Sequence, residues 1–280
     1  MSMRVGFIGV GTIGKAMATN IVRAGFDLMV YDLREEPLKS LSELGATIAR
    51  SPKEVGEHSE IIEIAVVDDS QVETVMNGTQ GVFEGARRDA IVAIHSTISP
   101  ETVRRLAGLA QLKGIKLLEA PVSGGRKGAE DRDLCYMVGG EKGVVERCRE
   151  VFSTSGSHIF HVGDLGAAST TKIIHQVVVC INMLAAHEAE ILCEKTGIDF
   201  HRFLEILHVS SGQSFASDNW IERFKRPQDS MSTRRQRTEV FKKSLSPALE
   251  LAERVGISLP GASLARKQLD EMMGIDSQGS

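Results

Sequence analysis

No stretch of about 18 or more uninterrupted apolar residues runs through this 280-residue chain, so no membrane span is expected from its hydropathy pattern. Cysteine is scarce. Cys135, Cys148, Cys180 and Cys193 are widely spaced, with no C-x-x-C pair and no histidines at ligand spacing, which excludes a disulfide framework and a zinc cluster. They are expected to be buried or idle thiols, and no metal site is expected. Charge of neither sign dominates: 33 basic against 37 acidic residues leave a formal charge of -4. That balance offers no drive toward nucleic acid or a membrane surface, so neither is expected as a partner. No signal-peptide pattern precedes the strand-like Arg4-Val5-Gly6-Phe7-Ile8, and a cytoplasmic location is expected. There is no internal repeat and no low-complexity tract.

What is present is the composition of a soluble globular protein, 42% hydrophobic and 25% charged, long enough for two domains. Residues 1–165 alternate short β-branched runs with helical stretches, the pattern of βα units winding into a largely parallel, doubly wound Rossmann-type sheet. Strands are expected at Arg4–Gly9, Asp27–Asp32, Ile61–Val67, Ala90–His95, Lys116–Glu119, Leu134–Val138 and His158–His161. From about residue 167 the texture becomes helical. A pattern running from Thr170 to Lys195 without Gly or Pro predicts a long interdomain helix over about 167–196. Helices near Asp199–Val209, Arg237–Val255 and Ser263–Met273 complete an all-helical domain over 166–280, ending in a frayed tail from Gly274.

Gly9-Val10-Gly11-Thr12-Ile13-Gly14 is a G-x-G-x-x-G placed between a strand and an amphipathic helix, with Asp32 closing the next strand. Gly9 permits a tight turn, Gly11 lets the backbone approach a pyrophosphate, and Gly14 allows close helix–strand packing. The helix N-terminus at Thr12 and Ile13 offers amide N–H groups to phosphate. Asp32 would accept from ribose hydroxyls and repel a 2′-phosphate, which favours NAD over NADP, although Arg34 works against that preference.

A second glycine-rich segment, Glu119-Ala120-Pro121-Val122-Ser123-Gly124-Gly125, follows a strand where a sheet of this kind presents its ligand crevice. The Ser123 hydroxyl and the amides of Gly124 and Gly125 suit a carboxylate. Ser96-Thr97-Ile98-Ser99-Pro100 also closes a strand, either touching nicotinamide and substrate or merely capping the helix that Pro100 begins. On the long helix Lys172, His175, Gln176 and Val179 fall at i, i+3, i+4 and i+7, on one face. Among Ile173, Ile174, Val177 and Val178 a lysine is either desolvated, with the lowered pKa a proton carrier needs, or snorkelling to the surface.

These three segments, in this order and spacing over nearly the whole chain, resemble the β-hydroxyacid dehydrogenase family, which includes 3-hydroxyisobutyrate dehydrogenase and L-threonate dehydrogenase. The resemblance implies that Ser123, Gly124 and Gly125 hold the substrate carboxylate and that Lys172 exchanges the proton of the substrate hydroxyl. It also implies that Thr97 lies beside the nicotinamide, that Lys243 reaches toward the cofactor site, and that the chain forms a homodimer or homotetramer through its helical domain. Most simple members read K-x-x-N-N where this chain reads Lys172-Ile173-Ile174-His175-Gln176, and L-threonate dehydrogenase-like sequences carry a similar H-Q pair. Gln176 thus stands in for the substrate-binding asparagine, and His175 either assists proton transfer or orients Lys172. Ser244 replaces the family's aspartate after Lys243. The decarboxylating member needs a carboxylic acid seven residues after the lysine, where this chain has Val179.

The expected activity is reversible NAD-dependent oxidation of a small β-hydroxyacid, a sugar acid such as threonate or a 3-hydroxyisobutyrate-like acid. The alternatives are an NADP-dependent semialdehyde reductase of the same family and a silent binding module that kept the fold. Arg234, Arg235 and Arg237 form a solvated helix face or, if they line the site's mouth, favour a second acidic group on the substrate. Ser210–Phe215 is either pocket wall or interhelical loop.

Overall fold

The computed structural model describes residues 2–226 and 228–275. The end of the expected tail, 276–280, lies outside the described residues. The chain divides into two compact units, one ending at Lys172 and one beginning at Ile173.

In the first unit the strands are β1 (Arg4–Ile8), β2 (Asp27–Tyr31), β3 (Thr47–Ile48), β4 (Ile61–Ile64), β5 (Ile91–Ile94), β6 (Lys116–Glu119), β7 (Val122–Ser123), β8 (Cys135–Gly139) and β9 (His158–Gly163). Between them run α1 (Thr12–Arg23), α2 (Glu35–Ser42), α3 (Pro52–His58), α4 (Asp69–Asn77), α5 (Val82–Gly85), α6 (Pro100–Lys113), α7 (Gly125–Glu130) and α8 (Lys142–Phe152). The sheet order is β3-β2-β1-β4-β5-β6-β8-β7, with β9 beside β8. The pairs from β3 to β6 are parallel, β8 runs antiparallel to both β6 and β7, and β9 is parallel to β8. The winding reverses between β1 and β4. A doubly wound sheet opens its ligand crevice there, at the carboxyl ends of the strands.

The strands read as nearly unbroken apolar runs because helices cover both faces. On β5, Ile91 and Ala93 join the core beneath α1 and α8, while Val92 and Ile94 join the core beneath α4 and α6. Buried Asn20 ties α1 to α7, its Nδ2 donating to Ala129 O at 2.8 Å and to Ser155 Oγ at 3.2 Å.

Several strands end earlier than expected. Gly9, Asp32, Ala65 to Val67 and His95 lie beyond the last ladder pair, where Gly9, Ala65 and His95 still donate one backbone bond each to Tyr31, Ile8 and Ile64 before the chain turns into the crevice loops. The two-residue strands β3 and β7 are too short to leave a periodic signal, and the antiparallel β8 departs from a simple βα reading.

The long helix, α9, spans Ala167–Thr196 and crosses from the first unit into the second. It is followed by α10 (Phe200–His208), α11 (Phe215–Asp218), a π-helical turn at Trp220–Phe224, α12 (Met231–Arg254) and α13 (Pro260–Met272). Fully buried Trp220 packs with Cys180, Met183, Leu245 and Leu269 in this unit's core. Ser230 caps α12 well before the expected Arg237, and Pro260 opens α13 as its first residue, where a missing amide proton costs nothing. Although polar residues interrupt its sequence, α9 is long and apolar enough by composition alone to cross a membrane, the one such helix among the described residues.

The β1–α1 junction tolerates no side chain at Gly14, where a Cβ would stand 2.1 Å from Gly9 O. Gly14→Ala should therefore lower the thermal midpoint and abolish dinucleotide binding together, as read by thermal unfolding and NADH fluorescence titration.

Candidate active site

The cradle at the β1–α1 turn follows from backbone geometry. Gly9 holds φ +90°, and a Cβ there would lie 2.4 Å from Ala65 O. Gly11 precedes α1 without a side-chain cap, and the first turn carries no acidic residue, so the amides at its N-terminus face no competing carboxylate of their own. A cavity of about 410 Å³ opens beside them, lined in part by Gly11, Thr12, Lys15 and Arg34. These features fit a dinucleotide pyrophosphate.

At the end of β2 the Asp32 carboxylate is engaged by Arg34, accepting from its backbone N–H at 2.9 Å, from Nε at 3.1 Å and from the terminal guanidinium nitrogen at 3.2 Å. Burial works to raise the Asp32 pKa, but the hydrogen bonds and charge of Arg34 outweigh it and hold the carboxyl below its ordinary value. Arg34 thus occupies the residue expected to read the ribose.

The loop after β5 shares out its hydroxyls. Ser96 Oγ donates to Val66 O at 2.7 Å and accepts from Val66 N–H at 2.9 Å, stitching the ends of β4 and β5. Ser99 caps α6 by accepting from Thr102 N–H at 3.1 Å, and Thr97 between them is exposed. Capping therefore falls to Ser99, while Thr97 is left exposed two residues before it.

In the second glycine motif Gly124 and Gly125 adopt φ of +124° and +62°, both in the region that favours glycine. Ser123, on β7, sits directly opposite Cys135 on β8. Cys135 is half-buried, and burial pushes its thiol above the ordinary value against a smaller opposing effect of Lys172. The other three cysteines are buried.

The residue that joins the motif to the lysine is Glu119. Its carboxylate, 1% exposed, accepts from the backbone N–H groups of Gly166 at 2.6 Å, Ala168 at 2.8 Å and Ser169 at 3.0 Å, and from Ser169 Oγ. A charge at the end of β6 thus neutralises the amides and the positive dipole end of α9. Gly139 makes room for it, since a Cβ there would lie 2.4 Å from Glu119 Oε1.

Just beyond the first turn stands Lys172, 7% exposed, its pKa pushed down by burial to about 8, against a small opposing effect of Cys135. Of the two readings of this lysine, desolvation holds and snorkelling does not. His175 and Gln176 follow on the same helix, both partly buried. Lys243, on α12, is exposed, while Lys242 takes the ion pairs, at 2.9 Å from both oxygens of Asp270 and 3.2 Å from Glu239. Arg237 pairs with Asp229, and Arg235 is exposed.

Sequence reasoning missed Glu119 and Arg34 as a partner of Asp32. A charged residue directly after the apolar pair Leu117-Leu118, at the end of a strand, was the available signal for Glu119.

Residues 4–163 match the family model described as the NAD binding domain of 6-phosphogluconate dehydrogenase. Residues 166–279 match that of the NAD-binding domain of NADP-dependent 3-hydroxyisobutyrate dehydrogenase. The chain is 37% identical over 223 residues to 2-(hydroxymethyl)glutarate dehydrogenase of Eubacterium barkeri, covering 80% of this chain and 74% of that one. It is 34% identical over 217 residues to a probable mitochondrial 3-hydroxyisobutyrate dehydrogenase of Dictyostelium discoideum, covering 78% and 68%. Among solved structures, Mycobacterium tuberculosis 3-hydroxyisobutyrate dehydrogenase with L-serine superposes with a TM-score of 0.81 at 25% identity, over 98% of this chain and 94% of that one.

A Rossmann unit carrying a dinucleotide cradle, joined to a helical unit, defines a nicotinamide-nucleotide-dependent oxidoreductase. The chain belongs to the β-hydroxyacid dehydrogenase family, that of 3-hydroxyisobutyrate dehydrogenase, and is an NAD(P)-dependent hydroxyacid dehydrogenase.

Glu119→Gln replaces one acceptor oxygen by an NH₂ that must confront at least one of four donors. It should cost roughly 2–3 kcal/mol in urea unfolding and lower turnover more than cofactor affinity.

Proposed function

We propose that this protein reversibly oxidises the β-hydroxyl of a small hydroxyacid with NAD, Lys172 acting as general base in oxidation and general acid in reduction. The observation that carries this is the desolvated Lys172, on a helix pinned by the residue four before Ser123. The amides of Gly124 and Gly125 and the Ser123 hydroxyl bind and orient the carboxylate. Neutral Lys172 Nζ then takes the hydroxyl proton as the carbon loses its hydride, and the carbonyl product forms. When bound, the nicotinamide supplies the hydride acceptor. Val179 at the position seven after the lysine gives no acid for protonating an enol, so the reaction stops at the carbonyl. Gln176 and His175 hydrogen-bond the substrate's remaining polar groups, which supports a sugar acid such as threonate or a 3-hydroxyisobutyrate-like acid. Asp32 supports NAD, with Arg34 bound to it rather than presented to a 2′-phosphate.

The same proposal includes a homodimer or homotetramer in the cytoplasm. Ile174, Val178 and Leu192 on α9 are 56%, 55% and 65% exposed, an apolar stripe that a second copy would cover. Light scattering should return at least twice the 30.4 kDa chain mass, and a monomer would remove this part of the proposal.

NADH formation with threonate, 3-hydroxyisobutyrate, glycerate, serine and 2-(hydroxymethyl)glutarate, with NADP compared alongside, tests the activity. kcat/KM for oxidation should rise with pH through about 8, because the neutral amine is the base. The folded protein binds this proton less readily than the unfolded chain. Stability should therefore climb between about 8 and the ordinary lysine value of 10.5, and below about 8 the buried charge costs folding about 3 kcal/mol. Lys172→Met should accordingly raise the thermal midpoint at neutral pH while losing turnover, and near wild-type turnover would refute the mechanism.

A further inference from the structure

One buried polar pair in the first unit serves neither the cofactor cradle nor Lys172. Glu63 is the third residue of β4 and His95 directly follows β5, and both side chains are 1% exposed. Glu63 lies opposite Ala93, so His95, two residues further on, projects from the same face of the sheet. The imidazole is enclosed by Phe7, Tyr136 and Phe152, with ring centroids at 6.3, 5.7 and 5.8 Å. Neither Glu63 oxygen nor His95 Nε2 has a hydrogen-bond partner among the described residues, and Nε2 stands 3.6 Å from Glu63 Oε2. Desolvating such a pair is costly, and apolar side chains of similar size would fill the space without that cost.

The other ring nitrogen shows what the pair does. Nδ1 lies 2.9 Å from Ala120 O, and since a carbonyl only accepts, Nδ1 carries the proton. The Ala120 N–H already donates to Ile94 O at 2.7 Å, so the imidazole takes up the remaining backbone group of this residue. Next comes Pro121, which has no amide proton, and then Ser123, Gly124 and Gly125. His95 is also the residue before Ser96 and Thr97.

We propose that His95, held among Phe7, Tyr136 and Phe152, is a positioning residue that clamps the Ala120 carbonyl and sets the path of the Pro121–Gly125 substrate loop relative to the Ser96–Thr97 loop. Glu119 anchors the residue before this clamp to α9, so β6 ends in two successive anchors on different partners. The kinetic consequence rests on the proposed hydroxyacid chemistry, whereas the structural consequence does not.

Two amide substitutions of the full-length protein separate the clamp from mere core filling. In His95→Asn the side-chain NH₂ reaches the place of Nδ1 and keeps the bond to Ala120. In His95→Gln the amide reaches the place of Nε2 and loses it. Amide hydrogen exchange read by mass spectrometry should accelerate about tenfold or more across residues 121–128 in His95→Gln and stay near wild type in His95→Asn, with α1 unchanged in both. The KM for the hydroxyacid should rise roughly tenfold to a hundredfold in the glutamine variant, with NADH affinity preserved. Equal behaviour of the two variants at 121–128, whether both unchanged or both accelerated, would overturn the clamp. A wild type that oxidises none of the acids would sink the functional proposal, leaving the exchange comparison to decide the clamp.

Discussion

A single carboxylate organises this protein. Glu119 ends β6 and closes the N-terminus of α9, accepting from the amides of Gly166, Ala168 and Ser169. Without it, the amides of a 30-residue helix would be buried unpaired against the sheet, each at a cost comparable to a lost hydrogen bond. With it, the strand that delivers Ser123 and the helix that delivers Lys172 start from one point. The separation between the Ser123–Gly125 loop and Lys172 is thereby set by a strand end and a helix turn.

The same economy explains the state of Lys172. No carboxylate pairs with its ammonium among the described residues, so burial alone lowers its proton affinity, and the helix dipole adds no negative partner at this end. An ion pair would hold the amine in its charged form and remove the neutral amine that the proposed chemistry uses. The first unit therefore holds a destabilising buried lysine, and secures the surrounding backbone with Glu119, with the Ser96 bridge to Val66, and with Asn20 between α1 and α7.

Much of the fold was legible because βα units advertise themselves: apolar runs covered on both faces, glycines at helix ends, and a texture change near residue 167. The elements that escaped were those without periodicity, β3 and β7 with two residues each, and the π-helical turn at Trp220. In the site, the Gly9-x-Gly11-x-x-Gly14 turn and Lys172 stood out, since each is a residue type whose local surroundings already restrict its use. Glu119 and Glu63 did not stand out, because an acid in an apolar strand is meaningful only once its acceptors and donors are in place.

Sequence alone determined the identity and order of the chemical groups: the cradle, the serine–glycine loop, and a lysine in an apolar helix. Backbone conformational limits and helical spacing act over a few residues, so they can be read along the chain. Only tertiary structure decided how those groups are tuned. The Glu119 cap on α9 and the buried Glu63–His95 pair join positions far apart in the chain, and the Asp32–Arg34 ion pair forms only where the end of β2 turns into the crevice loop. Their strengths depend on burial, which no local pattern encodes.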